Sequence, residues 1–460
     1  MSVSIDEPIR PIRYTTAAHR PNELAYQAPD SVTAAVRRTL RQRRFMQYNR
    51  LAVGVVLLNA GALWLGTRHA AWADPTTLLT LAQANLACAV IARQQHVVNF
   101  VCRLATRAPT TWPLRLRWAL AKVYHFGGLH VGMAVSGTAW YVLFVASHTR
   151  QALRGPGFPA SLVTSYALVL LLVLIVVCAR PSARTRSHDR FEVTHRLGGW
   201  TVLVLAWINT ILVVTTQPAA GPVLDAVVTA PSIWLMLAST ASTALPWLRL
   251  RRVPITVQRP SSHVAVVRFD DHGVKPFVGS VRPISLHPLW GWHTFANIPA
   301  PRSSPLGYRM AVSRAGDWTS AFIADPPSHV WVRGVPTAGM ANVRHLFKRV
   351  VFVATGSGIG PMLAHLMANN VPGHLVWVTR SPRETYGDEL VNEILAVQPD
   401  ATIWNTDDQG RPDVFALAYE ALQRTGAEAV ICIASTKVTW QVVSGIERLG
   451  IPAFGPIWDS

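Results

Sequence analysis

Negative charge is what this chain most lacks. Its 460 residues hold 24 Asp and Glu against 43 Lys and Arg, a formal net charge of +19, and charged residues of either sign make up only 15%. With half of the residues hydrophobic, that is too greasy for an ordinary soluble enzyme. Cysteine is scarce as well: Cys88, Cys102, Cys178 and Cys432 lie far apart, which excludes a cysteine-built metal site or a disulfide framework. The segment Met1–Gln47 is polar and contains proline, so no cleavable leader is expected. A surplus of positive charge invites a nucleic-acid reading. Here, however, the basic residues crowd the ends of apolar runs, a pattern of membrane topology, so nucleic acid is not expected as a partner.

What the chain has instead is long apolar runs, at 51–67, 76–101, 120–146, 160–179, 197–215 and 223–248. Each approaches the ~20 residues of a spanning helix. Arg37, Arg38, Arg41, Arg43, Arg44 and Arg50 precede the first run, and Arg103, Arg107, Arg115, Arg117 and Lys122 separate the second from the third. Arg180, Arg184, Arg186 and Arg190 separate the fourth from the fifth, and Arg249, Arg251 and Arg252 follow the sixth. The alternate loops hold only Arg68, then Arg150 and Arg154, then nothing basic. If all six runs span, every arginine-rich loop falls on one face and both termini are cytoplasmic. The pattern therefore predicts a polytopic six-helix bundle over 45–250, preceded by a flexible cytosolic arm over 1–44. The basic, proline-containing linker at 249–260 is placed along anionic headgroups of the lipid bilayer.

Histidines gather near the predicted cytoplasmic leaflet. His96 ends the second run, His125 and His130 begin the third, and His195 begins the fifth. Gly128 and Gly198 each follow a histidine by three residues, on the same helix face. Small residues beside two imidazoles suit a flat porphyrin, and Arg93, Lys122 and Arg196 stand close enough in sequence to neutralise propionates. Three readings stay open for His125, His195, His96 and His130: ligands of one b-type haem, a substrate or headgroup site, or plain structure.

After Arg252 the texture changes. Short alternating runs such as Ile255–Gln258 and Val264–Phe269, broken by Pro, Gly and Asp, read as strands of a small antiparallel barrel over 251–345. From 346 to 460 strand and helix alternate: VVFVA at 350, then 361–369; HLVWVTR, then 388–397; AVICIA near 429, then 438–449. That order predicts an α/β domain with a parallel sheet. Its first strand runs into Thr355-Gly356-Ser-Gly358-Ile-Gly360-Pro361, a glycine turn opening a helix. A diphosphate has to approach bare backbone N–H groups there, and Pro361 suits a first helical position.

The order of these motifs resembles the ferredoxin-reductase architecture. Behind a polytopic helical domain it resembles the ferric reductase and NADPH oxidase superfamily, most of all the TmpA-type integral membrane proteins of fungi, over residues 45–460. The resemblance implies FAD and a nicotinamide nucleotide as cofactors. It places His293, Phe295 and Asn297 where that family meets the flavin, Gly316 and Thr319 at a helix start holding its diphosphate, and Arg333 and Gly334 in the turn ending the barrel. It places Thr355, Gly356, Gly358, Gly360 and Pro361 in the nicotinamide turn, Gly410-Arg-Pro-Asp413 in a later turn, Cys432 beside the nicotinamide, and Trp458 or Phe454 over the flavin. Arg380 and Arg383 follow the second strand, where a ribose 2′-phosphate would lie; with no acidic residue at that strand end, NADPH is favoured over NADH.

The departures bear on mechanism. Ala296 replaces a hydroxyl-bearing residue, Thr294 a proline, and Ile433-Ala434-Ser435 the small residue after the cysteine. Transmembrane oxidases of the superfamily carry a second histidine 13 or 14 residues beyond the first. Here those positions are Thr138 or Ala139 and Ile208 or Asn209, so at most one haem and no relay to the outer face are expected. The function so implied is a membrane-bound NAD(P)H-dependent flavin oxidoreductase, passing electrons from NADPH through FAD to an unidentified acceptor in the membrane or its cytosolic leaflet. The alternative is a non-catalytic sensor or docking protein that keeps a degenerate reductase fold.

Overall fold

The computed structural model describes residues 46–68, 74–155, 157–186, 188–216, 222–269, 276–300 and 307–456. The amino-terminal arm and Trp458 lie outside them.

The amino-terminal half is helical: α1 (Gln47–Thr67), α2 (Pro75–Ala92), α3 (Gln95–Thr106), α4 (Leu114–Ala121), α5 (Gly127–Ala152), α6 (Ala160–Cys178), α7 (His188–Thr215), α8 (Val223–Thr229) and α9 (Pro231–Ala244). Asp74 starts α2 by accepting the Thr76 and Thr77 N–H groups at 3.1 and 3.0 Å, with Pro75 in its first turn. The bundle is apolar on its outer face, and its apolar core around Leu78, Phe144 and Leu168 is crossed by a few polar pairs. Leu58, Val163 and Leu170 are exposed, whereas Trp140 donates to Asn59 (2.8 Å), Tyr141 to Asn209 (2.9 Å) and Gln83 to Thr210 (2.6 Å) between helices.

Among the described residues five helical stretches are long and apolar enough to cross a membrane: Gln47–Thr67, Pro75–Ala92, Leu114–Ala152, Ala160–Cys178 and Arg190–Thr215. This corrects the six continuous runs of the sequence. The run at 223–248 is broken between α8 and α9, because Pro231 opens a new helix at its first position and leaves pieces of 7 and 14 residues. The run at 76–101 stops at Ala92. Gln94 turns the chain and accepts the His96 N–H, so α3 leaves in a new direction as an amphipathic helix.

The barrel contains β1 (Arg251–Gln258), β2 (Val264–Phe269), β3 (Ser280–Ser285), β4 (His293–Ala296), β5 (Ile298–Pro299), β6 (Tyr308–Ser313), β7 (His329–Val332) and β8 (Thr337–Ala338), with α10 (Asp317–Ala324) after β6. The antiparallel order is β4-β3-β7-β1-β2-β6-β5, with β8 on β3. β4 and β5 are the two ends of that order, yet Asn297 alone separates them in the chain, so the sheet curls almost to closure. Val253, Phe269, Met310, Phe322 and Val332 fill its interior.

The last region is a parallel sheet of β9 (Val350–Thr355), β10 (Gly373–Thr379), β11 (Thr402–Asn405), β12 (Ala429–Ile433) and β13 (Ala453–Phe454), in the order β11-β10-β9-β12-β13. Its helices are α11 (Ile359–Ala368), α12 (Asp388–Val397), α13 (Val414–Thr425) and α14 (Thr436–Arg448). Two apolar layers cover the sheet, one around Ile359, Leu363 and Trp377, the other around Val353, Cys432 and Val443. Strands buried on both faces read as continuous apolar runs, which is why VVFVA and AVICI stood out.

The helical half is wedged into these domains. Ala121 of α4 is fully buried, and Trp118, Leu120 and Tyr124 pack with it against the layer that contains Phe347, Val350 and Phe454. Arg117 forks onto Glu428 at 2.7 and 3.1 Å and donates to the Leu346 and Trp112 carbonyls. Across the barrel, Arg309 pairs with Glu393 (2.7 Å) and Arg268 with Glu389 (3.1 Å). The arginine-rich segment at 103–122 is thus a bracket rather than a free loop.

Candidate functional site

The glycine turn sits where the sheet changes direction. β9 is central, the chain proceeds to β10 on one side and later returns to β12 on the other, and the turn leaves the carboxyl end of β9 between them. In open α/β sheets that switch point is the ligand crevice. Gly356 has φ +49° and open space where a side chain would project. Trp377, buried in β10, donates its indole N–H to the Gly356 carbonyl at 3.1 Å and fixes the turn's orientation. A Cβ on Gly358 would collide with the main-chain carbonyl of Ile433, so bare backbone is obligatory there. Gly360 is different: a Cβ would make ordinary contact with Ala311 at 3.8 Å. Pro361 is the third residue of α11, not the first, because the helix begins at Ile359; in that first turn its missing N–H still costs no bond. Thr355 stands half-buried at the strand end.

The groups expected around this turn are placed unevenly. Arg380 is exposed and its Nε lies 3.2 Å from Asp407, which also accepts the Ser381 hydroxyl at 3.0 Å. The sequence reading of a strand end without an acid is thereby revised, since the short helix after β11 delivers Asp407 to it. Arg383 pairs with Asp388 (2.6 Å) and Asn392 (3.0 Å). Cys432 does not face the turn: its side chain is buried in the α13–α14 layer, and burial pushes its thiol up to about 12 despite a hydrogen bond with Thr439. Ile433 and exposed Ser435 occupy the strand end instead. Phe454 is buried against Phe347 at 5.5 Å, in the core rather than over a ligand.

On the barrel, His293 and Trp318 lie 4.3 Å apart at 30°, Phe295 is 6.1 Å from Trp318, and Trp318 is 5.1 Å from Phe322. His293, Phe295 and Trp318 form a half-buried aromatic shelf, suited to a planar ring. The expected phosphate donors are engaged: the Thr319 hydroxyl accepts the Ala315 and Gly316 N–H groups at 2.9 and 3.1 Å, and it donates to the Gly316 carbonyl. Asn297 is buried and donates to Ser280 at 2.9 Å. The residues present fit the ring of a flavin on the shelf, while the Ala315 and Gly316 N–H groups just before α10 are committed to Thr319.

The turn after β7 is a joint with the bundle. The Arg333 guanidinium lies between Trp247 and Trp292, 4.3 Å from each ring, and burial together with Arg196 brings it down to about 10, so it stays charged. Gly334, at φ +65°, donates to the Pro246 carbonyl (2.9 Å), and Val335 to Gln95 Oε1 (2.9 Å). Asn99 gives its amide N–H to Pro336 (2.9 Å) and accepts the Ala338 N–H (2.8 Å).

Of the four histidines, the fold brings two together. The His130 and His195 rings are 6.0 Å apart at 34°, and His130 Nδ1 lies 2.9 Å from the Ala89 carbonyl. His125 is buried against Tyr124 in the turn leading into α5, and His96 is exposed on α3. Gly128 and Gly198 serve helix packing, because a Cβ would meet the Tyr48 carbonyl or Ile175. Among the described residues no three potential metal-ligating side chains cluster. The space beside His130 and His195 is about 170 Å³. His125 and His96 do not join this pair, so His130 and His195 are the two of the four that could share one ligand.

Residues 340–460 match the family described as Adenylate-forming reductase 03009, C-terminal domain. Adenylate-forming reductase 03009 of Coprinopsis cinerea is 38% identical over 435 residues, covering 94% of this chain and 42% of that protein. Adenylate-forming reductase 06235 of the same fungus is 38% identical over 436 residues, with the same coverage. The chain therefore spans about two-fifths of the length of these curated relatives, and the match runs through bundle, barrel and α/β domain alike. Among solved structures, a ferredoxin NADP+ reductase from Neisseria gonorrhoeae with bound FAD and NADP is 11% identical over 45% of this chain and 98% of that one, at a TM-score of 0.37. A flavohemoglobin from Malassezia yamatoensis with bound FAD and heme is 15% identical over 82% and 99%, at a TM-score of 0.39.

Sequence reading missed Trp377, Asp407, Gln95 and Asn99. A tryptophan inside an all-apolar strand was the available sign for Trp377, since a buried indole N–H needs an acceptor. The others arise from contacts remote in sequence.

Proposed function

We propose that the chain is a membrane-embedded NAD(P)H-dependent flavin oxidoreductase whose nucleotide-handling domains lie on the cytoplasmic side. The observation that carries this is the open glycine turn at the switch point of the parallel sheet, with Gly356 unobstructed and Gly358 pressed on β12. The barrel in front of that sheet and the reductase names of the two fungal relatives support the same reading, as does the resemblance of the motif order to ferric-reductase-like and TmpA-type membrane proteins. Five long apolar helices and arginines at their ends support the membrane placement.

The chain's own contribution is positional. Backbone N–H groups from Gly356 to Gly360 and the start of α11 hold a nicotinamide diphosphate, with Trp377 keeping the turn in register. Arg380 and Ser381 meet a 2′-phosphate, and Asp407, which draws on Arg380, narrows the margin over a free 2′-hydroxyl. His293, Phe295 and Trp318 carry the isoalloxazine ring; flavin, when bound, supplies the exchange between hydride and single electrons. The Arg117–Glu428 fork keeps these domains against the bundle. The test is anaerobic: protein reconstituted with FAD should lose its flavin absorbance on adding NADPH, and an unchanged spectrum would refute the proposal.

The second reading, a docking module without turnover, is favoured by the inward Cys432 and the engaged Thr319. It predicts nicotinamide binding with no bleaching, which separates it from the first.

A further inference from the structure

The bundle contains a cavity of about 170 Å³ between α2, α5, α6, α7 and α9, mostly apolar, with Leu168 and Met236 on its wall and His130 and His195 at one end. Gln83, 4% exposed, also lines it, and its Oε1 has no hydrogen-bond partner. The orientation of this amide is fixed by chemistry. Thr210 gives its proton to the Ala206 carbonyl at 2.6 Å, so its oxygen can only accept from Gln83, at 2.6 Å. The amide NH₂ therefore faces Thr210 and the carbonyl oxygen is left over.

The wall hydroxyls share that bias. Thr138 donates to Ala134 (2.8 Å), Tyr141 to Asn209 (2.9 Å), Ser239 to Leu235 (2.8 Å) and Thr243 to Ser239 (2.8 Å). His130 has its Nδ1 proton on the Ala89 carbonyl, which leaves Nε2 of the neutral ring as an acceptor. His195 and the second amide proton of Gln83 are the N–H groups this wall can offer. Within this mostly apolar lining the Gln83 carbonyl oxygen is a buried acceptor that no protein group satisfies. A ligand hydroxyl satisfies it.

From this we infer that the cavity is a binding site for a lipophilic single ring bearing a hydroxyl, a hydroquinone or alkylphenol head, held by donation to Gln83 Oε1 with the His130–His195 pair as the second polar contact. The volume sets the size, since a cavity of about 150 Å³ takes one benzene ring. The unpaired Gln83 oxygen sets the chemistry, preferring the hydroxylated ring to its ether, which has no proton to give. The site does not depend on nicotinamide or flavin.

The test uses the full chain in lipid nanodiscs, without nicotinamide or flavin and under reducing anaerobic conditions. Isothermal titration compares a decyl-substituted hydroquinone with its dimethyl ether. The hydroquinone should bind about fivefold more tightly, the worth of one net hydrogen bond. Gln83→Met should remove that ratio while retaining ether binding, and Ala134→Phe, which fills the cavity, should abolish both. Equal binding of the two ligands, a ratio unchanged by Gln83→Met, or binding that survives Ala134→Phe would overturn the inference. Should Gln83→Met fail to fold, the two-ligand ratio and Ala134→Phe decide it. Failure here leaves flavin bleaching by NADPH untouched, and failure of bleaching leaves this binding untouched.

Discussion

Two glycine turns of this protein resemble each other in backbone and differ in what fills them. At Gly356, φ is +49° and a side chain would meet nothing within 4 Å; at Gly334, φ is +65° and the same space holds the amide of Gln95 from the helical bundle. One turn opens at the end of a central parallel strand, and the other is plugged by a helix some 240 residues away in sequence. Left-handed glycine marks backbone that something approaches closely. Whether the visitor is a ligand or another part of the chain depends on the neighbours.

Changes to the plugged turn should move stability, and changes to the open turn should move nucleotide binding. The largest stability effect is expected for Arg117→Ala, which strands Glu428 beside the Lys348 N–H and loosens the bracket. A loss of about 3 kcal/mol is expected in chemical denaturation, with nucleotide affinity per folded molecule unchanged. Gly358→Ala pushes a methyl into the Ile433 carbonyl, costing about 1–3 kcal/mol locally and weakening nicotinamide nucleotide binding roughly tenfold or more by titration. Gln95→Ala leaves the Val335 N–H without its acceptor, so melting should show a loss of about 1–2 kcal/mol with nucleotide binding intact. If Gln95→Ala instead abolishes nucleotide binding, the contrast between the turns is wrong.

A smaller, pH-dependent effect belongs to His374. Burial, aided by Arg424, lowers it from 6.5 to about 4, and its Nε2 accepts from Arg424 at 2.9 Å. The unfolded chain takes up that proton first. Stability is therefore full above about 6.5 and declines as pH falls toward about 4. Melting temperatures from pH 7 to 5 should fall less steeply in His374→Gln. The smallest effect is expected for Gly360→Ala, whose methyl finds ordinary contact with Ala311, so titration should give wild-type nucleotide affinity.

What the sequence revealed follows from what is local. The β9–turn–α11 unit is contiguous, and its apolar strand, glycines and proline each act over a few residues, so the switch-point turn was legible. The strand–helix alternation gave the parallel sheet for the same reason. The breaks in the apolar runs also had local signs: Pro231, and the polar string Arg93-Gln94-Gln95-His96 within an otherwise greasy stretch. The engagement of Gly334, Val335 and Arg333 by the bundle was not legible, nor was the arrival of Asp407 beside Arg380, because both depend on distant segments meeting. Cys432 turned inward unseen because a strand buried on both faces gives no alternation by which to assign its side chains.

The most direct measurement is titration of the purified 460-residue chain with NADPH and with NADH, in wild type, Gly358→Ala and Gly360→Ala. The account predicts one nucleotide per chain in wild type, with somewhat tighter binding of NADPH, the same in Gly360→Ala, and loss in a folded Gly358→Ala. No binding in wild type, or binding undisturbed by Gly358→Ala, would contradict it.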